Sequence, residues 1–179
     1  MDTAGKIAEI FSNIFTGIGI IVGGIWTYLT FVKNRLSYPK VEVKHQVIQK
    51  HLGDGKILLH VNVVVDNLGD VLVNFESGET RLLQILPLVG EAGEAIQKGE
   101  DPVNPGRYDI DWPKITGRVL IAKDNPCEIE PKEKETFPCD FVIKNDVQIV
   151  EIYSYFENIT KKGKELGWPC TTVYEIEKD

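Results

Sequence analysis

Three histidines, three cysteines and a scatter of acids are the residues of this 179-residue chain whose types could do chemistry. His45, His51 and His60 occupy positions from which they could meet across a first hairpin, and neutral imidazole is a common metal ligand. No cysteine or histidine pair stands at zinc spacing beside them, so no metal and no cofactor are expected. Cys127, Cys139 and Cys170 each follow a proline, a pattern that suggests no mechanism, and Cys139 and Cys170 fall at inward positions as small core residues. A cysteine nucleophile needs a base and an oxyanion-stabilising group, and the spacing nominates neither. Glu100, Asp101, Asp109 and Asp111 could gather round a hard cation, yet they lack the spacing of a calcium loop. A solvated acidic loop pinned by Trp112 is the expectation there. No glycine-rich loop follows a strand and opens a helix, so a phosphate cradle is absent as well. The expected catalytic residues are therefore none, and the chain reads as a protein that is not an enzyme.

The elements that must carry these residues divide the chain in two. Residues 1–40 form an apolar segment with a basic flank, and residues 41–179 form one β-rich domain containing a long acidic loop, 88–117. Ile10 to Val32 contains no charge, and at about 1.5 Å per residue such a run is long enough to cross a bilayer as a helix. Trp26 and Tyr28 fit an interfacial aromatic belt. Lys33, Arg35, Lys40 and Lys44 crowd the C-terminal flank, which predicts a single-pass protein of the cell (inner) membrane with its N-terminus outside and its C-terminal domain cytoplasmic. The odd cysteine count agrees with a reducing compartment, while Asn158-Ile-Thr160, a glycosylation sequon, points the other way. Ser12, Thr16, Gly19, Gly23, Thr27 and Thr30 fall on one face of the helix, with Gly19 and Gly23 in a GxxxG step, which predicts self-association there.

Beyond Val41 the hydrophobic period changes to two. Val41, Val43 and Val47 alternate with polar residues, Gly53-Asp-Gly55 supplies a turn, and Ile57, Leu59, Val61, Val63 and Val65 alternate again. Further strands are expected around Val71 to Phe75, Thr80 to Leu86, Val119 to Ala122, Glu128 to Glu130, Thr136 to Ile143, Gln148 to Phe156 and Thr171 to Ile176. Short strands at such intervals predict an antiparallel β-sandwich. Within the long loop, Glu94 to Lys98 has the composition for a turn of helix.

The run Val61-Asn-Val-Val-Val-Asp-Asn-Leu-Gly-Asp70, followed by Ile129-Glu-Pro-Lys-Glu-Lys-Glu-Thr-Phe137 and an alternating strand, resembles immunoglobulin-like bacterial sandwich modules. In those, a strand ends in an Asn-x-Gly turn and a Pro-Gly-Glu-like corner precedes the next core strand. Lys132 stands at the place of the corner glycine. The layout as a whole, including Asp109-Ile-Asp-Trp-Pro113 and Gly167-Trp-Pro-Cys170, is similar to small bacterial single-pass membrane proteins of unassigned function. That resemblance implies a mainly β fold behind an N-terminal transmembrane helix, and it implies no active site.

The net charge of −7 disfavours nucleic acid as a partner. Lys161, Lys162 and Lys164 form a basic cluster on an expected loop tip, where an acidic partner or a lipid surface could meet it, and Asp109, Asp111 and Trp112 are the other candidate contacts. The expected function is a membrane-tethered, non-enzymatic interaction module with a protein partner, the lipid bilayer and a second copy of itself as its contacts. The alternative is an oligomerising membrane effector whose cytoplasmic domain senses a ligand or partner.

Overall fold

The computed structural model describes residues 3–29, 38–104, 109–159 and 165–178. It opens with α1 (Thr3–Thr27), followed by a π-type turn at Tyr28 and Leu29. The remaining elements are β1 (Val41–Gly53), β2 (Lys56–Asn67), β3 (Val73–Phe75), β4 (Ser77–Leu86), α2 (Gly90–Lys98), β5 (Val103–Asn104), β6 (Asp109–Ile110), β7 (Lys114–Ile121), β8 (Cys127–Ile129), β9 (Lys134–Lys144), β10 (Ile149–Ile159) and β11 (Glu165–Glu175).

The spanning anchor is corrected. Among the described residues no helix is long and apolar enough to cross a membrane. Lys6 and Glu9 occupy the first turns of α1, whose α-helical run is Thr3–Thr27. Between these limits Asn13, Thr16 and four glycines, at positions 17, 19, 23 and 24, thin the apolar surface that the long uncharged run suggested. The single-pass topology and the membrane location drawn from the flanking bases fall with it.

The β reading is met by the structure. The domain is built of antiparallel sheets, one of three strands in the order β1-β2-β9 and one of four in the order β11-β10-β4-β7, with two short pairs, β3-β8 and β5-β6, beside them. Period-two alternation is the cause. In β2 the odd positions from Ile57 to Val65 are buried, as are Cys139, Phe141 and Ile143 of β9, and from the other sheet Leu82, Val150, Ile152 and Phe156 meet them in one core cluster. Phe75 joins that core with its ring 5.3 Å from Phe156 and 5.5 Å from Trp168. The β1–β2 hairpin turns through Gly53, Asp54 and Gly55, whose φ angles of 82°, 48° and 66° explain two glycines and a short polar residue there.

The long acidic loop is more structured than its composition suggests. Helix α2 runs nine residues and ends at Gly99 in the left-handed conformation, whose N–H bonds back to Ile96 O. Strands β5 and β6 pair after it, and β7 begins at Lys114.

Candidate functional site

Inward positions of a sandwich belong to apolar residues, and four of the exceptions converge. His45 sits between Val43 and Val47 on the inner side of β1, Thr80 between Gly78 and Leu82 on β4, Ser154 between Ile152 and Phe156 on β10, and Thr172 between Cys170 and Tyr174 on β11. Cross-strand register sets Ser154 opposite both Thr80 and Cys170, so the three strands of the larger sheet deliver their polar residues to one spot facing β1. His45 Nε2 lies 2.8 Å from Ser154 Oγ, His45 Nδ1 lies 2.9 Å from Thr172 Oγ1, and Ser154 Oγ lies 2.9 Å from Thr80 Oγ1.

The hydrogens in this array can be assigned by elimination. Thr80 donates its only hydroxyl hydrogen to Tyr153 O at 3.3 Å, so it accepts from Ser154. Ser154 has then given away its hydrogen and must accept from Nε2–H of His45. A neutral imidazole protonated at Nε2 is an acceptor at Nδ1, and Thr172 is the donor to it. Each link runs the same way, from Thr172 through His45, Ser154 and Thr80 to a backbone carbonyl. Burial alone pushes the His45 pKa down to about 4. The array therefore rests on the neutral ring.

This polarity bears on catalysis. A histidine that activates serine must accept the hydroxyl proton, whereas here it donates, and Ser154 is fully buried. Cys170 Sγ lies 3.9 Å from Nδ1, but burial pushes the thiol up, partly opposed by the Thr172 hydroxyl, while the imidazole is pushed down. Opposite shifts of that kind disfavour a thiolate–imidazolium pair. The chemistry this geometry supports is structural: it joins β1 of one sheet to β11 and β10 of the other. Gln49 adds a second tie on the same seam, its Nε2 donating to Glu177 O at 2.7 Å and its Oε1 accepting from Glu177 N at 3.0 Å. On the opposite seam Arg118 of β7 donates to Asp140 O of β9 at 3.3 Å and lies over the Phe141 ring at 5.6 Å.

The three histidines that could have met across the first hairpin are kept apart. His45 faces the core, His60 faces outward onto Asp140 at 2.7 Å, and His51 lies at the far end of β1 within 3.0 Å of the Gln49 amide. Among the described residues no group of three or more potential ligands is placed to hold a metal.

Of the other candidates, Thr16, Gly19, Gly23 and Thr27 lie on α1, and a Cβ added at Gly19 or Gly23 would meet nothing within 4 Å. Ser12 belongs to the same helix, while Thr30 lies outside the described residues, as do Lys161, Lys162 and Lys164. Asp109 belongs to β6, Asp111 follows it and accepts from Asn104 Nδ2 at 3.1 Å, and Trp112 is half-buried with its backbone N–H on Ile110 O. Asn158, the first residue of the sequon, is buried.

Two residues that carried the family resemblance do meet. Asn67 is fully buried, and its amide nitrogen reaches Val71 O, Ile129 O and Glu130 O at 2.9–3.1 Å while its Oδ1 accepts from Gly69 N at 3.0 Å. Lys132 in the corner has φ 68°, a conformation that favours glycine.

No protein-family model matches the chain. No curated protein matches it either. The expected kinship with small bacterial membrane-anchored proteins is therefore corrected, since neither a spanning helix among the described residues nor a family match stands behind it. Among solved structures, a Bordetella pertussis protein carrying the name ApaA is similar at TM-score 0.47 with 9% identity, over 79% of this chain and 96% of that one. A structural-genomics target designated SoR45 is similar at TM-score 0.45 with 13% identity, over 77% and 86%. A protein from Archaeoglobus fulgidus is similar at TM-score 0.36 with 8% identity, over 78% and 99%. Likenesses this loose place the chain in no group.

Proposed function

We propose that this chain is a non-enzymatic interaction module that associates with a second copy of itself through α1 and offers the β domain to a protein partner. The observation that carries the reading is the exposure of α1: Phe15, Ile20 and Trp26 are each about 70% exposed, and Ile14, Ile18, Ile21, Val22 and Ile25 are all more than half exposed. An uncovered apolar surface of that extent is a contact surface or an aggregation hazard. The open space at Gly19 and Gly23 lets a second helix approach closely.

The outer face of the larger sheet suits a protein partner. One cross-strand row there holds Pro169, Tyr155, Glu79 and Val119, and the next holds Thr171, Tyr153, Arg81 and Gly117. Tyr and Arg are the residue types that recur at interface centres. Tyr155 leans over Gly167 of β11, where a Cβ would collide with the phenol ring, so that glycine keeps the ring low on the sheet.

Sedimentation equilibrium of the full chain tests the self-association. The expected result is a reversible oligomer whose dissociation constant rises at least about tenfold, or about 1.4 kcal/mol, in a Gly19→Ile, Gly23→Ile double variant. A wild-type chain that stays monomeric at high micromolar concentration would overturn the proposal.

A further inference from the structure

We propose that His45 is an acid-released latch between the two sheets: on taking up a proton it leaves the polar array, and the β1–β11 seam opens while the ladders within each sheet persist.

The geometry carries this in three steps. First, the array is ordered around the neutral imidazole. Nδ1 is the acceptor for Thr172, and every hydrogen beyond it is already directed onward to Tyr153 O. A proton on Nδ1 meets a hydroxyl that is donating towards it, so Thr172 must turn its hydrogen away and the Thr172–His45 link is reversed, while the links beyond Nε2 keep their direction.

Second, nothing around the ring compensates a positive charge. Val43 and Val47 flank it on β1, and Val63 is its partner on β2. Ser154 faces it from β10 with Thr80 of β4 behind, and Cys170 and Thr172 face it from β11. The titratable groups on the inward faces of β10 and β11 are Cys170 and, further along, Tyr174, and burial raises the pKa of both, so they stay neutral in acid, while Glu79 and Arg81 of β4, Glu151, Tyr153, Tyr155 and Glu157 of β10 and Glu175 of β11 stand at the alternate, outward positions. Among the described residues no carboxylate lies within 4.0 Å of the imidazole. The charged pair of β1, Lys44 with Glu42 at 2.7 Å, belongs to the outer face.

Third, the ring has a way out. β1 is the edge strand of its sheet, paired only with β2, and His45 is half-buried, so rotation of its side chain delivers the charge to water without breaking the β1–β2 ladder. Its departure removes the donor to buried Ser154 and the acceptor of Thr172, and water must enter to replace both. Gln49, clasped to the backbone of Glu177, holds the seam at the other end and acts as the pivot.

The test follows the ring and the seam together in the full chain by NMR between pH 7 and pH 3.5. The expected result is a neutral Nε2–H tautomer at pH 7, and contacts between the His45 ring and the Thr172 methyl that vanish with the same midpoint as the ring titration. Cross-strand contacts within β1–β2 and β10–β11 persist through that midpoint. Thr172→Val frees Nδ1 and should move the opening midpoint upward by about half a pH unit or more. His45→Gln, which keeps one donor and one acceptor and does not titrate, should keep its side-chain contacts with the Thr172 methyl at pH 3.5, where the parent chain has lost them. A protonated ring that keeps its contacts with Thr172, or ring titration at the ordinary value near 6.5 with the seam unchanged, overturns the latch. The NMR arm decides the question even if His45→Gln does not fold.

Discussion

Asn67 ends β2 and, through one side chain, fixes both halves of a corner that lie more than sixty residues apart in sequence. Its amide and carbonyl are fully buried, and its backbone is engaged too, with its N–H on Glu133 O and its carbonyl accepting from Lys132 N. Replacing the side chain by a methyl group takes the amide donor from Val71 O and Ile129 O and the acceptor from the Gly69 N–H, while Glu130 O keeps the Glu133 N–H. Asn67→Ala should therefore cost about 2–4 kcal/mol, read from the shift in denaturation midpoint at unchanged slope. Leu68→Ala beside it, half exposed, should cost well under half as much. The turn was legible at this scale because Asn-Leu-Gly is a local signal. The two distant carbonyls, of Ile129 and Glu130, were not, because nothing local says which strand ends beside it. The polar array did leave a sequence trace: His45, Thr80, Ser154 and Thr172 each interrupt an apolar inward register, and an interruption on four strands at once is a signature of a buried network.

At the scale of elements, the strands were legible because one face of each is buried and the other is not, so burial is written into every second residue. The apolar N-terminal run misled for the opposite reason. A long stretch without charge counts as apolar in sequence whether or not its helix continues, and the small and polar residues that dilute α1 carry no formal charge to announce themselves. The seam between β1 and β11 gives this scale its prediction. The His45 pKa is near 4 in the folded chain and near 6.5 in the unfolded one, so between those values the unfolded state binds more protons. Stability is then complete above about pH 6.5 and falls as the pH is lowered towards 4. Allowing for the partial exposure of the ring, the loss attributable to His45 is about 2 kcal/mol. Urea melts at pH 7 and pH 4.5 should show that loss in the parent chain, and its absence in His45→Gln. An equal pH dependence in both would assign the effect to carboxylates instead.

For the molecule as a whole, the core cluster among the described residues is drawn from the β domain, with no described residue of α1 in it. A chain beginning at Val41 should accordingly fold with a thermal midpoint within a few degrees of the full chain, while losing the concentration-dependent association proposed for α1. Calorimetry and sedimentation on the two chains separate these properties, and a truncated chain that fails to fold would show that α1 contributes to the domain itself. The ties across the two seams have a further consequence, for the protein's behaviour at high concentration. A primary amide has the same donor and acceptor pair as a peptide group, and Gln49 presents that pair to the backbone of Glu177 as a neighbouring strand would. On the other side the guanidinium of Arg118 occupies the Asp140 carbonyl. Two side chains thus stand where an incoming strand would have to bind. Fibril growth by edge-to-edge recruitment would have to displace them first.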